Sequence, residues 1–146
     1  MTQYVDTSIL AAYYCPEPLS EQAEQRLREL RPPTISWLTD VELHSALAKK
    51  VRMNELAEGD AERIHDLFRT HVTRELYDIV EVERADFVQA RRWMTRLETV
   101  LRTLDALHLA VARRRDLVLL TSDQGLAEAG STFDVEMELM SAANSS

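Results

Sequence analysis

Along this chain, short apolar runs alternate with stretches in which apolar residues return every three or four positions, the two periodicities that separate buried strands from amphipathic helices. Tyr4 and Val5 make the first run, which stops abruptly at Asp6, and Thr7 or Ser8 is placed to cap a helix carrying Ile9 to Tyr14. Pro16 and Pro18 break that pattern. A polar helix opening at Ser20 then sets Ala23, Leu27 and Leu30 at helical spacing until Pro32 and Pro33 end it. The run TISWL, residues 34–38, predicts a second strand, followed by a helix that Thr39 or Asp40 caps and that Leu43, Leu47 and Val51 line. After Gly59, a helix starting at Asp60 carries Ile64, Leu67, Phe68 and Val72 on one face.

The second half repeats the scheme. YDIVEV, residues 77–82, predicts a third strand, and a long helix from Asp86 aligns Phe87, Ala90, Met94, Leu97 and Leu101, with Arg91, Arg92 and Arg96 on its other face. TLDALHLAVARRR follows as a helix with Leu104, Leu107 and Val111 as its stripe and Asp105 one position off it. LVLL, residues 117–120, is a continuous apolar run of the kind buried on both faces of a parallel sheet. TSDQGLAEAG reads as a turn and short helix, TFDVEM as a last strand, and SAANSS as a loose tail. Strands alternating with helices imply an α/β fold, a central parallel sheet flanked by helices through right-handed crossovers. The expected organisation is one domain over residues 1–140 and a flexible tail over 141–146.

Composition narrows the function classes. A chain of 146 residues with 45% hydrophobic residues can bury a core without staples, and its single cysteine, Cys15, excludes an internal disulfide framework and any multi-cysteine zinc site. No signal-peptide pattern and no run of membrane-spanning length occurs, so a soluble, cytoplasmic protein without membrane contact is expected. The net charge of −8 argues against a polyanion partner until its distribution is considered. Between Arg84 and Arg115 eight arginines face three acids, so a locally basic stretch sits in an otherwise acidic chain. Such a stretch is a solvated helix face or a place to meet nucleic acid.

In open parallel sheets, functional residues gather beyond the carboxyl ends of the strands, where strand order reverses. That rule selects Asp6 after the first strand, Glu42 just after the second, Asp105 near a helix start and Asp123 after LVLL. Each has an ordinary structural explanation, a helix cap for Asp6 and Asp123 and the helix dipole for Glu42 and Asp105. Together, four carboxylates at one sheet edge repel unless they bind protons or cations, and oxygen ligands of this kind suit Mg²⁺ or Mn²⁺. A cation so held activates water and neutralises a phosphodiester, which points to hydrolysis of a nucleic-acid backbone. Ser8, Thr121 and Ser122 fit either capping or contact with phosphate or bound water, and His108, one turn after Asp105, fits either packing or acid–base work. Trp37 and Trp93 fit core or dimer packing better than base stacking.

The strings VDTS at residues 5–8, TDVELHSAL around Glu42, DALHLA at 105–110 and LLTSDQGLA around Asp123, in this order and spacing, make the chain resemble the PIN-domain family, and within it the VapC toxins. The resemblance implies a PIN-like α/β/α fold and a Mg²⁺- or Mn²⁺-dependent endoribonuclease. It implies Asp6, Glu42, Asp105 and Asp123 as the catalytic acids, with Asp6, Asp105 and Asp123 as metal ligands and Ser8 and Thr121 in support. It also implies a homodimer, an RNA substrate, and a VapB-type antitoxin that directs an arginine at the acids. Arg91, Arg92 and Arg96 then become candidates for an RNA-tracking surface. Two alternatives stay open: an RNA-processing PIN nuclease outside any toxin–antitoxin pair, and a catalytically silent PIN-like binding module. The three glycines, Gly59, Gly125 and Gly130, cannot compose a nucleotide-binding glycine loop, and Ser8 stands where a phosphatase with a nucleophilic aspartate needs a second acid.

Overall fold

The computed structural model describes residues 3–30, 32–98 and 100–141. Its elements run β1 (Tyr4–Val5), α1 (Thr7–Tyr14), α2 (Ser20–Glu29), β2 (Thr34–Ser36), α3 (Trp37–Arg52), α4 (Glu58–Thr73), β3 (Asp78–Val80), α5 (Arg84–Thr95), α6 (Thr103–Arg114), β4 (Leu119–Thr121), α7 (Gln124–Thr132) and β5 (Met137–Leu139). The five strands form one parallel sheet in the order β3-β2-β1-β4-β5. The chain winds outward from β1 in one direction through β2 and β3, then returns to the other side of β1 with β4 and β5. The reversal falls between β1 and β4, which places the ligand crevice of such a sheet beyond Asp6 and Asp123.

Strand alternation divides the core in two. Val5, Ile35 and Leu120 face α1 to α4 with Ile9, Leu10, Leu43, Leu47 and Phe68, while Tyr4 and Leu119 face the opposite layer with Trp93, Leu109, Val111 and Leu126. The central strand is buried on both sides, which is why its run reads as continuously apolar up to Asp6. Gly130 on α7 lies so close to the sheet that a Cβ there would collide with the Met137 side chain.

Several sequence expectations shift at this stage. Asp6 itself caps α1, not Thr7 or Ser8, and Ser36 caps α3, with Thr39 completing a capping box, so that helix begins at Trp37. The long helix expected through Leu101 stops at Thr95: Leu97 adopts a φ of 56°, which breaks the helical path and turns the chain back into α6. Phe87, Met94, Leu97, Leu104 and Leu67, all assigned to buried stripes, are exposed; on α5 Ala90 is buried as expected, and Trp93 and Asp86 share its buried face. In α6 the burial is wider than one stripe, covering every residue from Ala106 to Ala112. Of the expected tail, residues 142–146 lie outside the described residues.

Candidate active site

Asp6 leaves β1 at the reversal point and is buried, with its backbone N–H donating to the Leu120 carbonyl at 2.9 Å. A carboxylate in this position demands donors. It has three, and all fall on one oxygen: Oδ2 accepts from Ser8 Oγ (2.8 Å), Thr121 Oγ1 (2.9 Å) and, more weakly, the Ser8 amide (3.4 Å). The apolar run therefore ends in an acid that is anchored through Oδ2 and keeps Oδ1 outside those contacts.

Hydroxyls tie the neighbouring strand end to the same place. Thr121 is fully buried and accepts the Asp123 amide at 3.0 Å while donating to Asp6, and Ser8 Oγ accepts the Ser122 amide at 3.0 Å. Asp123 caps α7 through Oδ1, which accepts the Leu126 amide at 3.2 Å. Its Oδ2 lies 3.8 Å from Arg102, and the same guanidinium stands 3.5 Å from Asp105 Oδ2.

Glu42 reaches in from the second turn of α3. Its Oε1 accepts from Thr7 Oγ1 at 3.0 Å and from His108 Nε2, so here too both contacts use one oxygen. Ligand atoms of Asp6, Glu42 and His108 lie within 4.8 Å of one another. Burial works to raise the Glu42 pKa, but the hydrogen bonds from His108 and Thr7 and the charge of Arg102 outweigh it and leave the group below its ordinary value. Asp105, in the first turn of α6, shifts the other way: burial raises its pKa, the Arg102 guanidinium opposes, and the charges of Asp6 and Asp123 raise it further.

Of the four acids selected from the sequence, Asp6 is linked to Asp123 through Thr121 and stands beside Glu42, and Asp105 faces Asp123 across the Arg102 guanidinium that both approach. Ser8 and Thr121 touch the acids directly. Arg91 and Arg92 lie exposed on α5, and Arg96 pairs with Glu98 and sits over the Phe133 ring at 5.2 Å. Thr7, Tyr4 and Arg102 were not singled out in the sequence as site residues. Arg102 was readable only as one charge in the basic stretch, and Tyr4 only as an apolar strand position.

The donor set fits a hard divalent cation: carboxylates secured on one oxygen offer the other without reorganisation. His108 Nε2 is committed to Glu42. The set consists of oxygens, as Mg²⁺ and Mn²⁺ prefer.

Comparison with known proteins agrees with this architecture. The PIN domain family profile matches residues 3–131. Ribonuclease VapC3 of Pyrobaculum aerophilum is 30% identical over 129 residues, spanning 88% of this chain and 94% of the relative. Among solved structures, the Mycobacterium tuberculosis toxin VapC20, described as cleaving the sarcin-ricin loop, superposes with a TM-score of 0.70 at 18% identity, covering 89% of this chain and 95% of that one. VapBC2 from Rickettsia felis, solved bound to a DNA fragment from its promoter, gives a TM-score of 0.70 at 15% identity over 97% of this chain and 100% of the other. With a parallel sheet that reverses between β1 and β4, and acids from four separate segments meeting at that reversal, this chain belongs to the PIN-domain family, in its VapC group.

Proposed function

We propose that this protein is a divalent-cation-dependent endoribonuclease, the toxin of a VapBC-type pair. The observation that carries the reading is the anchoring of acids from distant segments through single oxygens at the sheet's reversal point. Asp6, Asp105 and Asp123 hold Mg²⁺ or Mn²⁺, and Glu42 completes the catalytic carboxylates. The cation, when bound, supplies charge neutralisation for the phosphodiester and lowers the pKa of water. Ser8 and Thr121 keep Asp6 oriented, and Thr7 and His108 do the same for Glu42. Arg91 and Arg92, exposed on α5, offer a path for the RNA backbone, with Arg96 at its end partly committed to Glu98.

The partner is a VapB-type antitoxin that presents a guanidinium to the acids. Arg102, lying between Asp105 and Asp123, supports this: a guanidinium from the protein already suits the charge of the crevice without supplying a cation's chemistry. The working form is a homodimer of a single domain over residues 1–140, acting in the cytoplasm. No helix among the described residues is long and apolar enough to cross a membrane.

The test is mapping of RNA 5′ ends in bacteria after brief induction, with Asp6→Asn expressed at matched level. New discrete ends with the wild type alone are expected. Identical profiles for wild type, Asp6→Asn and empty vector would overturn the nuclease reading, leaving the acids as a binding site for a partner's arginine.

A further inference from the structure

His108 is fully buried on α6, yet both ring nitrogens are engaged by residues far away in sequence. Nε2 meets Glu42 Oε1, and Nδ1 meets the Tyr4 hydroxyl at 2.5 Å. The Tyr4 hydroxyl is also 2.8 Å from Ser36 Oγ, which in turn accepts the Leu38 amide at 3.2 Å. Four elements therefore feed one line of hydrogen bonds: β2 through Ser36, β1 through Tyr4, α6 through His108 and α3 through Glu42.

The direction of the line follows from its end. An ionised Glu42 only accepts, so Nε2 carries the proton. In the neutral ring Nδ1 then accepts, so Tyr4 donates to it. With its proton so used, the Tyr4 oxygen accepts from Ser36, whose own oxygen takes the Leu38 amide. No donor along the line faces another donor, and Glu42 Oε1 at its end accepts from both Nε2–H and Thr7 Oγ1. Removing the Tyr4 hydroxyl would leave Nδ1 without its donor, so the ring would be held from the Glu42 side alone.

We propose that His108 is a positioning residue for Glu42 and not a metal ligand. Glu42 and the Tyr4–Ser36 pair hold the ring from its two nitrogens in one Nε2–H tautomer, Nε2–H and Thr7 Oγ1 together fix Oε1, and Oε2 is thereby presented to the cation crevice. The inference rests on the reading of the acids as a cation site. It gives Glu42, the acid on the longest reach, the same single-oxygen anchoring that Ser8 and Thr121 give Asp6.

The experiment measures Mn²⁺ binding by calorimetry, with RNA cleavage in parallel, for wild type, His108→Gln, His108→Leu, Tyr4→Phe, Glu42→Gln and the double variant His108→Leu/Glu42→Gln. Loss of an orienting partner costs roughly 10- to 100-fold in metal affinity or activity, which is the expected effect of His108→Leu. His108→Gln, whose amide nitrogen reaches the place of Nε2, recovers most of that loss, and adding His108→Leu to Glu42→Gln costs little more. Tyr4→Phe keeps the ring's shape, so it tests the line even if His108→Leu fails to fold. Its nitrogen-15 imidazole spectrum is expected to show Nδ1 without the hydrogen-bonded shift that the Tyr4 hydroxyl should give it in wild type. A wild type that binds no Mn²⁺ overturns the cation-site reading and this inference with it. Wild-type Mn²⁺ binding, with Tyr4→Phe retaining both the Nδ1 shift and the affinity, or with His108→Gln as impaired as a folded His108→Leu, overturns the positioning role alone.

Discussion

Thr121→Val is the sharpest perturbation of the site's framework, because it removes one hydroxyl while preserving the shape of a fully buried side chain. That hydroxyl donates to Asp6 Oδ2 at 2.9 Å and accepts the Asp123 amide at 3.0 Å, and valine does neither. A hydrogen bond to a charged group contributes about 1.5–3 kcal/mol, and a buried amide left without a partner costs about 1–3 kcal/mol. Asp6 keeps the two Ser8 contacts, so the combined cost should lie in the lower part of the summed range, about 2.5–4 kcal/mol. Thr121→Ser keeps both bonds and loses only a methyl group, about 1 kcal/mol. With a urea m-value of about 2 kcal/mol/M, the unfolding midpoint in EDTA should fall by about 1–2 M for valine and about 0.5 M for serine. Saturating Mn²⁺ at a hundredfold over its dissociation constant should add about 2.7 kcal/mol to wild type and less to the valine variant at the same concentration. The reasoning fails if valine unfolds with wild type, or if serine is the more damaged of the two.

Two further perturbations act on charge. Asp105 has a raised pKa through burial and the charges of Asp6 and Asp123, so its contribution to stability is present below its unfolded pKa and lost as pH rises through the folded one. Asp105→Asn should therefore unfold at a higher temperature than wild type near neutral pH in EDTA, converge with it in acid, and lose the stabilisation by Mn²⁺; a lower neutral midpoint would refute the assignment. Arg102→Gln removes the countercharge between Asp105 and Asp123, so it should destabilise the metal-free protein at neutral pH and enlarge the thermal shift caused by Mn²⁺. A smaller shift would show that Arg102 assists the cation rather than competing with it.

What was legible in the sequence is what depends on local pattern. Strand and helix alternation gave the fold class, and acids stationed at strand ends gave Asp6 and Asp123, because a parallel sheet exposes those ends by its topology. Cap positions were less legible: DTS after β1, and SWLTD starting at the end of β2, each hold more than one residue able to cap, and only the backbone path decides between them. The early end of α5 was hidden because Leu97, a residue that ordinarily extends a helix, takes a positive φ where glycine or asparagine would have signalled a stop. The His108 line was out of reach of any periodicity. Its partners are 66 and 104 residues away, and Tyr4 looked like one more apolar strand residue.

Asp6 posed a choice between capping a helix and holding a cation, and the geometry shows that one carboxylate can serve both. Capping uses Oδ2, as does the Thr121 hydroxyl, so the structural demand falls on one oxygen and leaves the other for chemistry. Asp123 divides its oxygens in the same way, Oδ1 on the α7 amide and Oδ2 toward Arg102. This division explains how a chain of net charge −8 keeps several acids in one crevice without ordinary ion pairs for each: hydroxyls, amides and one imidazole satisfy the anchored oxygens, and the repulsion left over is what a bound cation would relieve. It follows that substitutions of the anchoring hydroxyls and of the acids should separate in their effects. Loss of a hydroxyl lowers stability with or without metal, whereas neutralising Asp105 raises the stability of the metal-free protein and abolishes its response to metal. A site assembled only for stability would not show that opposition of signs.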